Sequence, residues 1–484
     1  MEKKGPRKTF HHSTVSRKDF MKMMGLGSAG LGAAAMGLMP EMNFADLDDM
    51  KSSKYSDRNL PFWVKEVDEP TVEIDWDMME IFPGMQNTMF NPMVFGLEDA
   101  QASNKKYMAK VLGDINNKTP GYSIQDHALN AASCYGWQDG IFQAPWTGPL
   151  HPPADLTGFE HPSAYATPEE MGVPKYEGTP EENSKMLRVA GRVMGAADMG
   201  FVKLDERTKK LLYGNIVFKD VEEGYSDPEK HINVLPNKDL WVICSVIPQS
   251  LTMGQYTDKM SWAGANAFAY SRANIYASRI KMFLQGLGYQ QYGSNTADVG
   301  RAVGFGVMAG LAEYCRATIM VSPMFGTSFR TVMLTVTDLP LAVTKPIDAG
   351  IMKFCRVCKK CAEECPSGAI NMDTEPSWPD WEPGEKPHFA RGIKGWFLDP
   401  KKCLSNMFSG EPDCSRCQVV CPFNKYDSAV MHDLIKLSIS AAPALDGAIR
   451  KLDDAFGYGK QKGDHLWDKD PWDVPLFGLD SSRS

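Results

Sequence analysis

Eight of the eleven cysteines fall between Cys355 and Cys421, and their spacing constrains this chain more than any other feature. The first run reads Cys355-x2-Cys358-x2-Cys361-x3-Cys365-Pro366. This is the spacing with which a short loop wraps three corners of a [4Fe–4S] cube. Thiolates suit the task because soft sulfur donors stabilise ferrous and ferric iron alike. Pro366 then turns the chain away. A second set follows, Cys403 and then Cys414-x2-Cys417-x3-Cys421-Pro422, its first gap stretched to ten residues and its tail intact.

Zinc is the competing reading, but structural zinc uses pairs of CxxC knuckles. A third Cys at x2 followed by x3-Cys-Pro is a different pattern. In two-cluster ferredoxins the last Cys of each run serves the other cluster. That rule assigns Cys355, Cys358, Cys361 and Cys421 to one cluster, and Cys403, Cys414, Cys417 and Cys365 to the other. Cys134, Cys244 and Cys315 are scattered and read as ordinary buried thiols. A chain of 484 residues has core enough to need no disulfide scaffold. Two clusters move electrons one at a time, so the roughly 300 residues upstream must hold another redox group or serve only for docking.

Charge is distributed unevenly. Residues 1–22 carry seven Lys and Arg against Glu2 and Asp19, a surplus of +5, which leaves -13 for the rest of a chain whose total is -8. An acidic body gives no nucleic-acid footprint. Behind the basic start, Met23–Met39 runs seventeen residues without a charge, five of them Gly. It is short for a membrane span and too rich in Gly for a good helix. Basic n-region, weakly apolar h-region and Pro40 together resemble an export signal, with a processed end expected at Ala45. Ser16-Arg17-Lys18-Asp19-Phe20-Met21-Lys22 resembles a twin-arginine motif with Lys18 in place of the second Arg. Gly25-x-Gly27-x-x-Gly30 has no strand before it and is set aside as a dinucleotide loop. His11 and His12 sit in the same leader and receive no ligand role.

Further on, Thr71–Trp76 looks strand-like, and Pro and Gly punctuate an irregular stretch from Thr119 to Thr179. A helix is expected from Pro180 through Ser184–Met199, a buried strand over Leu240–Ile247, a long helix over Ser261–Leu287, a second over Ala302–Tyr314, and a strand over Arg330–Val336. Gly304-Phe-Gly306-Val-Met-Ala-Gly310 reads as a close-packed helix and not a phosphate loop. Alternation of helices and strands across 180–345 predicts an α/β or α+β core.

From its leader to its cysteines, the chain resembles the corrinoid-dependent reductive dehalogenases of anaerobic organohalide-respiring bacteria. The likeness is carried by RKDFMK in the leader, PFWVKEVDEPTVEIDW at Pro61–Trp76, the central helix–strand region, and the two-cluster domain with its long gap. It implies a base-off cobalamin in a nitroreductase-like core, followed by a bacterial ferredoxin-like domain. The chain has no D-x-H-x-x-G motif to supply a His to cobalt, which fits that state. Electrons would pass through the two clusters to super-reduced cobalt, and hydrogen would replace a carbon-bound halogen. The implied division is a Tat-type signal at 1–45, a corrinoid- and substrate-binding core at 46–345, the cluster domain at 346–430, and a C-terminal extension at 431–484 packing on the core.

Three residues carry over by position: Tyr270 in AFAYSRANIYAS as proton donor, Arg330 closing PMFGTSFR as its basic partner, and Asn295 in YQQYGSN near the substrate. A free Tyr titrates near ~10, too weak an acid at neutral pH. A guanidinium about 4 Å away, at an effective dielectric of about 20, favours the tyrosinate by about 4 kcal/mol. Arg suits the role because it stays protonated when desolvated. Trp396 is a candidate wall of the substrate pocket, although packing is the ordinary role of such a Trp. The resemblance further implies a small halogenated organic substrate, a small hydrophobic membrane-anchor protein, an upstream respiratory electron donor, and a peripheral place on the outer side of the cytoplasmic membrane. Two other readings stay open at this point. One is a cytoplasmic corrinoid iron–sulfur reductase of the epoxyqueuosine type, which an acidic body disfavours because tRNA needs a basic face. The other is a non-catalytic two-cluster electron carrier.

Overall fold

A computed structural model describes residues 60–82, 97–123, 167–169, 174–293, 299–408, 414–424, 430–455 and 472, apart from the single positions 62, 228, 255, 258, 384 and 387. The leader with Ala45, Cys134 and Asn295 lie outside the described residues. Strand β1 (Lys65–Glu66) and helix α1 (Leu97–Asn116) come first, then α2 (Pro180–Met194). Strands β2 (Asp198–Lys203), β3 (Ile216–Lys219), β4 (Tyr225–Asp227), β5 (Ile232–Pro236) and β6 (Trp241–Pro248) lead into the long helix α3 (Met260–Leu287). Next are β7 (Gln291–Tyr292), α4 (Ala302–Met308), β8 (Glu313–Tyr314), β9 (Met320–Val321), β10 (Phe329–Thr337) and β11 (Ile347–Asp348). The cysteine-bearing part contains α5 (Ile351–Cys358), α6 (Lys360–Glu363), α7 (Pro400–Phe408) and α8 (Arg416–Val419), followed by α9 (Val430–Ala441) and α10 (Asp446–Ala455).

The core is an antiparallel sheet in the order β2-β6-β10-β7. Strand β6 is buried at every position, which is why it reads as one apolar run without alternation. Its residues still alternate faces, as a pleated strand must. Ile243 and Ile247 meet Ala273, Tyr276, Ala277, Ile280 and Leu284 of α3. Val242, Cys244 and Val246 meet Phe305 and Val307 on the opposite side. Helices thus cover both faces, and each buried aliphatic side chain contributes roughly 1.5–3 kcal/mol. The expected mixed helix–strand class holds. The expected long helix, central strand and Arg330 strand appear within a residue or so of their predicted bounds.

Three expected elements change. Helix α2 is shorter than the Pro180–Met199 reading: Thr179 and Glu182 form a capping box at its start, and Gly195 at φ 112° closes it. Gly tolerates that left-handed turn because it has no Cβ, so residues 198–203 are free to join the sheet. The helix predicted over Ala302–Tyr314 stops at Met308, with Gly310 at φ 66° behind it. Glu313–Tyr314 then pairs with β9 as a strand. Thr71–Trp76 forms no strand beyond an isolated bridge from Ile74 to Ile393. It packs through Val72, Ile74 and Trp76 against the core, and two backbone bonds, Asp75 N–H to the Gly392 carbonyl at 2.9 Å and Lys394 N–H to the Glu73 carbonyl at 3.0 Å, tie it to the segment around Ile393. Gly304 is helical as expected, where a Cβ would meet Leu211 at 2.9 Å.

Helices α9 and α10 lie against α5, with Ile439 and Ile449 joining Ile351 and Phe354. The described part of the extension meets the cysteine-bearing segment and also the core, where the Ser440 hydroxyl donates to the Trp63 carbonyl at 2.8 Å. Lys360 is buried between Asp453 and Asp454, the latter 2.9 Å away. Among the described residues no helix is long and apolar enough to cross a membrane.

One carboxylate ties the sheet region to the cysteine-bearing part. Glu313 is fully buried in β8. Its oxygens accept from the Thr71 hydroxyl at 2.7 Å and from the backbone N–H groups of Ala349, Ile351 and Met352 at 2.6, 3.2 and 3.2 Å. The N–H groups at the start of α5 have no intrahelical partner, and an acceptor there also complements the helix dipole. Burial pushes the Glu313 carboxyl up, against the pull of the donors around it. Glu313→Ala should cost about 3 kcal/mol, because buried N–H groups that lose their acceptor cost roughly 1–3 kcal/mol each. The midpoint of denaturant unfolding checks this, and an unchanged midpoint would contradict it.

Candidate functional site

Helix α5 places Cys355 and Cys358 on one face, three residues apart. Lys359 then adopts φ 55°, breaking the helix so that α6 can bring Cys361 back. These three thiols, Cys421 and also Cys315 and Cys417 line one cavity, closed by Ile319, Val321, Ile351, Phe354 and Phe423. The four residues assigned to one cluster from sequence are therefore brought together. Of the second set, Cys365 and Cys403 lie within Coulombic range of Cys417, which borders both groups. Cys414 is half-buried, beside Ser415, whose N–H donates to the Thr257 hydroxyl at 2.7 Å. Among the described residues no three Cys, His, Asp or Glu side chains close on a point as a single ion requires. The thiols ring a space instead.

Burial pushes the thiols of Cys355 and Cys358 up to about 12, and that of Cys403 to about 11. Iron must therefore displace a proton from each, and coordination offsets the cost of a buried thiolate. Cys315 was read as an ordinary buried thiol. It is buried, but against the cluster cavity and within Coulombic range of Cys355 and Cys421.

Tyr270 and Arg330 also meet. The guanidinium carbon of Arg330 stands 5.2 Å from the Tyr270 ring centroid. Tyr270 projects from α3, and Arg330 sits where the β10–β6 register slips between Phe329 and Thr331. A bulge leaves its extra residue out of the ladder and re-aims the side chain, so the polar end of Arg330 leaves the sheet toward α3. Asn266 and Asn274, both buried, lie one turn either side of Tyr270. Polar residues at 266, 270 and 274, spaced four apart along α3, were a readable signal that sequence reasoning passed over.

The tyrosine region adjoins the cysteines through one loop. Thr327 donates to the carbonyl of Gln418 at 3.0 Å, and Ser328 to the side-chain oxygen of Asn424 at 2.5 Å. Gly326, at φ 58°, lies so close to Phe423 that a Cβ would approach its carbonyl oxygen to 2.5 Å. Gln249, whose N–H donates to the Ser328 carbonyl of this loop at 3.0 Å, is buried, as is Ser261 in α3, and among the described residues neither Gln249 amide atom nor the Ser261 hydroxyl has a hydrogen-bond partner. Orphaned buried polar groups are costly, and these suit the polar rim of a large cofactor. Trp396 is fully buried, its indole N–H donates to the Asp373 carbonyl at 3.0 Å, and the Arg316 guanidinium stacks 4.4 Å from its ring.

Comparison with known proteins follows this division. A family model described as reductive dehalogenase subunit matches residues 59–216 and 212–341, and a 4Fe-4S dicluster domain model matches 354–425. A trichloroethene reductive dehalogenase of Dehalococcoides mccartyi is 28% identical over 93% of this chain and 95% of its own. A tetrachloroethene reductive dehalogenase of Sulfurospirillum multivorans is 30% identical over 63% of this chain and 62% of its own. Among solved structures, the catabolic reductive dehalogenase NpRdhA matches 82% of this chain at TM-score 0.54 and 21% identity, a likeness of fold. The chain spans about half the length of that protein, 49%. Another solved structure, at TM-score 0.53 and 21% identity over 82% of this chain and 49% of its own, is described as suggesting a mechanism for B12-dependent dehalogenation.

If the cavity thiols hold a cluster, Cys358→Ser should lower iron from about eight atoms per chain to about four, two four-iron clusters becoming one. Cys315→Ser should keep about eight, because Cys315 lies outside both motifs. Iron analysis of anaerobically purified protein checks each, and loss of iron on changing Cys315 would make it a ligand.

Proposed function

This chain belongs to the reductive dehalogenase family, and we propose that it replaces a carbon-bound halogen by hydrogen in a small organic compound. Electrons reach the substrate site through two [4Fe–4S] clusters and a corrinoid. The observation that carries this reading is the family match over residues 59–216 and 212–341, followed by a dicluster domain at 354–425. In the same reading the core is nitroreductase-like and spans 46–345, the cluster domain 346–430 and the extension 431–484. Residues 1–45 direct export by the Tat route, and a small hydrophobic anchor protein and a respiratory donor serve the enzyme at the outer face of the membrane.

A corrinoid, when bound, supplies a strongly reducing cobalt centre. Gln249 and Ser261 would hold its polar edge, since their buried polar atoms otherwise go unmet among the described residues. Tyr270 is the proton donor to the carbon that loses halide. Its support is geometric: the Arg330 guanidinium stands over its ring, 5.2 Å from the centroid. Asn295 orients the substrate or the leaving halide, and Trp396 supports the site from the side of the clusters. Chlorinated alkenes are the substrate class named for the trichloroethene and tetrachloroethene relatives. A solved complex of NpRdhA contains 3-bromo-4-hydroxybenzoic acid, so aromatic halides belong in the same screen.

The test is anaerobic preparation with a corrinoid supply, followed by cobalt and iron analysis and a halide-release assay. About eight irons, one cobalt and halide release are expected; eight irons without cobalt or halide release would leave only an electron carrier. Tyr270→Phe should then lower turnover by a factor of about 10² or more at unchanged cobalt and iron, the usual weight of a positioned acid. Unchanged turnover would assign the proton to another group.

A further inference from the structure

Arg316 is an unusual residue to find at the heart of a buried cavity. It is 1% exposed and lines the same space as Cys355, Cys358, Cys361 and Cys421. Its guanidinium donates to the carbonyl of Cys355 at 2.9 and 3.1 Å, to that of Asn371 at 2.8 Å and to that of Asp373 at 2.6 Å. The face of Trp396 covers it. Every one of these partners is neutral. Among the described residues no carboxylate lies within ion-pair distance of the guanidinium, although Asp373 acts on it at longer range.

Of the other charges around this cavity, Lys359 lies toward solvent and donates to the Thr374 hydroxyl at 2.8 Å. Lys360 is shared between Asp453 and Asp454. Glu313 is spent on the N–H groups that open α5. On the side of the second set, the charged neighbour acting on Cys403 is Asp399, an anion. Asp399 is itself paired with Lys402 at 3.5 Å, so the difference between the two cysteine groups rests on the buried Arg316, which among the described residues has no carboxylate within ion-pair distance.

We propose that Arg316 is a positioning residue for electron transfer, raising the reduction potential of the cluster at Cys355, Cys358, Cys361 and Cys421 above that of the cluster at Cys365, Cys403, Cys414 and Cys417. The inference rests on the two-cluster reading. Physically, a cluster held by four thiolates is anionic and gains one more negative charge on reduction. A fixed cation in a low-dielectric pocket stabilises the reduced form more than the oxidised one. The step is one electron, lost by the second cluster and gained by the first, with no proton moved. Arg suits this role better than Lys, because its planar fork can be satisfied by carbonyls on several segments while its charge stays fixed.

The test is an EPR-monitored redox titration of the anaerobic holoenzyme, wild-type against Arg316→Gln and Arg316→Lys. In Arg316→Gln one of the two midpoints should fall by at least about tenfold in the oxidised-to-reduced ratio, about 59 mV for one electron, and the other should stay. Arg316→Lys keeps the charge and should fall between Gln and wild-type; it also carries the test if the Gln variant does not assemble. Cys358→Ser should abolish the signal that moves. Midpoints that stay in place, that move together, or that fall equally in the Lys and Gln variants would overturn the proposal. Halide release is scored on the same preparations: a moved midpoint without halide release supports this role and defeats the dehalogenation reading instead.

Discussion

One short helix, α5, is held at both ends by a single stretch of chain, and the rest of the site is arranged around that clamp. Glu313 meets the unpaired N–H groups at its start, and Arg316 binds the Cys355 carbonyl within it. Anion at the N-terminus and cation toward the C-terminus is the arrangement that a helix dipole favours. Because Glu313 and Arg316 are three residues apart in one turn of chain, the two ends of α5 cannot shift independently. The thiols of Cys355 and Cys358 are thereby fixed relative to the core sheet. A cluster relay needs fixed distances, and this clamp provides them without a covalent link.

The second organising feature is the loop from Ser322 to Phe329. It touches the Cys417–Cys421 segment through Thr327, Ser328 and the close approach of Gly326 to Phe423. It then enters the sheet through the bulge that turns Arg330 toward Tyr270. The same few residues therefore border the clusters at one end and the tyrosine pair at the other. The cysteine cavity and the tyrosine pair lie close here because the backbone leaves no room for an intervening layer.

The cysteine chemistry was legible in the sequence because it is local. Spacings of two and three residues encode a loop geometry that survives whatever surrounds it, and Cys355, Cys358 and Cys361 line one cavity, together with Cys421, Cys417 and Cys315 from other segments. The central strand and long helix were legible for a related reason: runs buried on all sides carry strong apolar signals. Element ends were less so. Gly195 and Gly310 stop helices that apolar periodicity alone would have continued, since the left-handed turn they permit leaves no mark on periodicity. Tyr270 and Arg330 came from resemblance to a family; the polar spacing of residues 266, 270 and 274 marks one line of α3 but does not separate a donor from a packed ring.

What the sequence determined by itself was the identity of the metal chemistry and the elements that carry it. Only the tertiary structure decided which charges face that chemistry. Glu313 reaches Ala349 across 36 positions, Arg316 reaches Cys355 across 39, and Arg316 shares its cavity with Cys421. In sequence, Glu313-Tyr-Cys-Arg316 is a pair of charges inside an apolar run, readable as an oddity but not as a function. Desolvation turns that oddity into a field. A buried charge acts strongly on what lies beside it, and burial and neighbours are set by how distant segments pack.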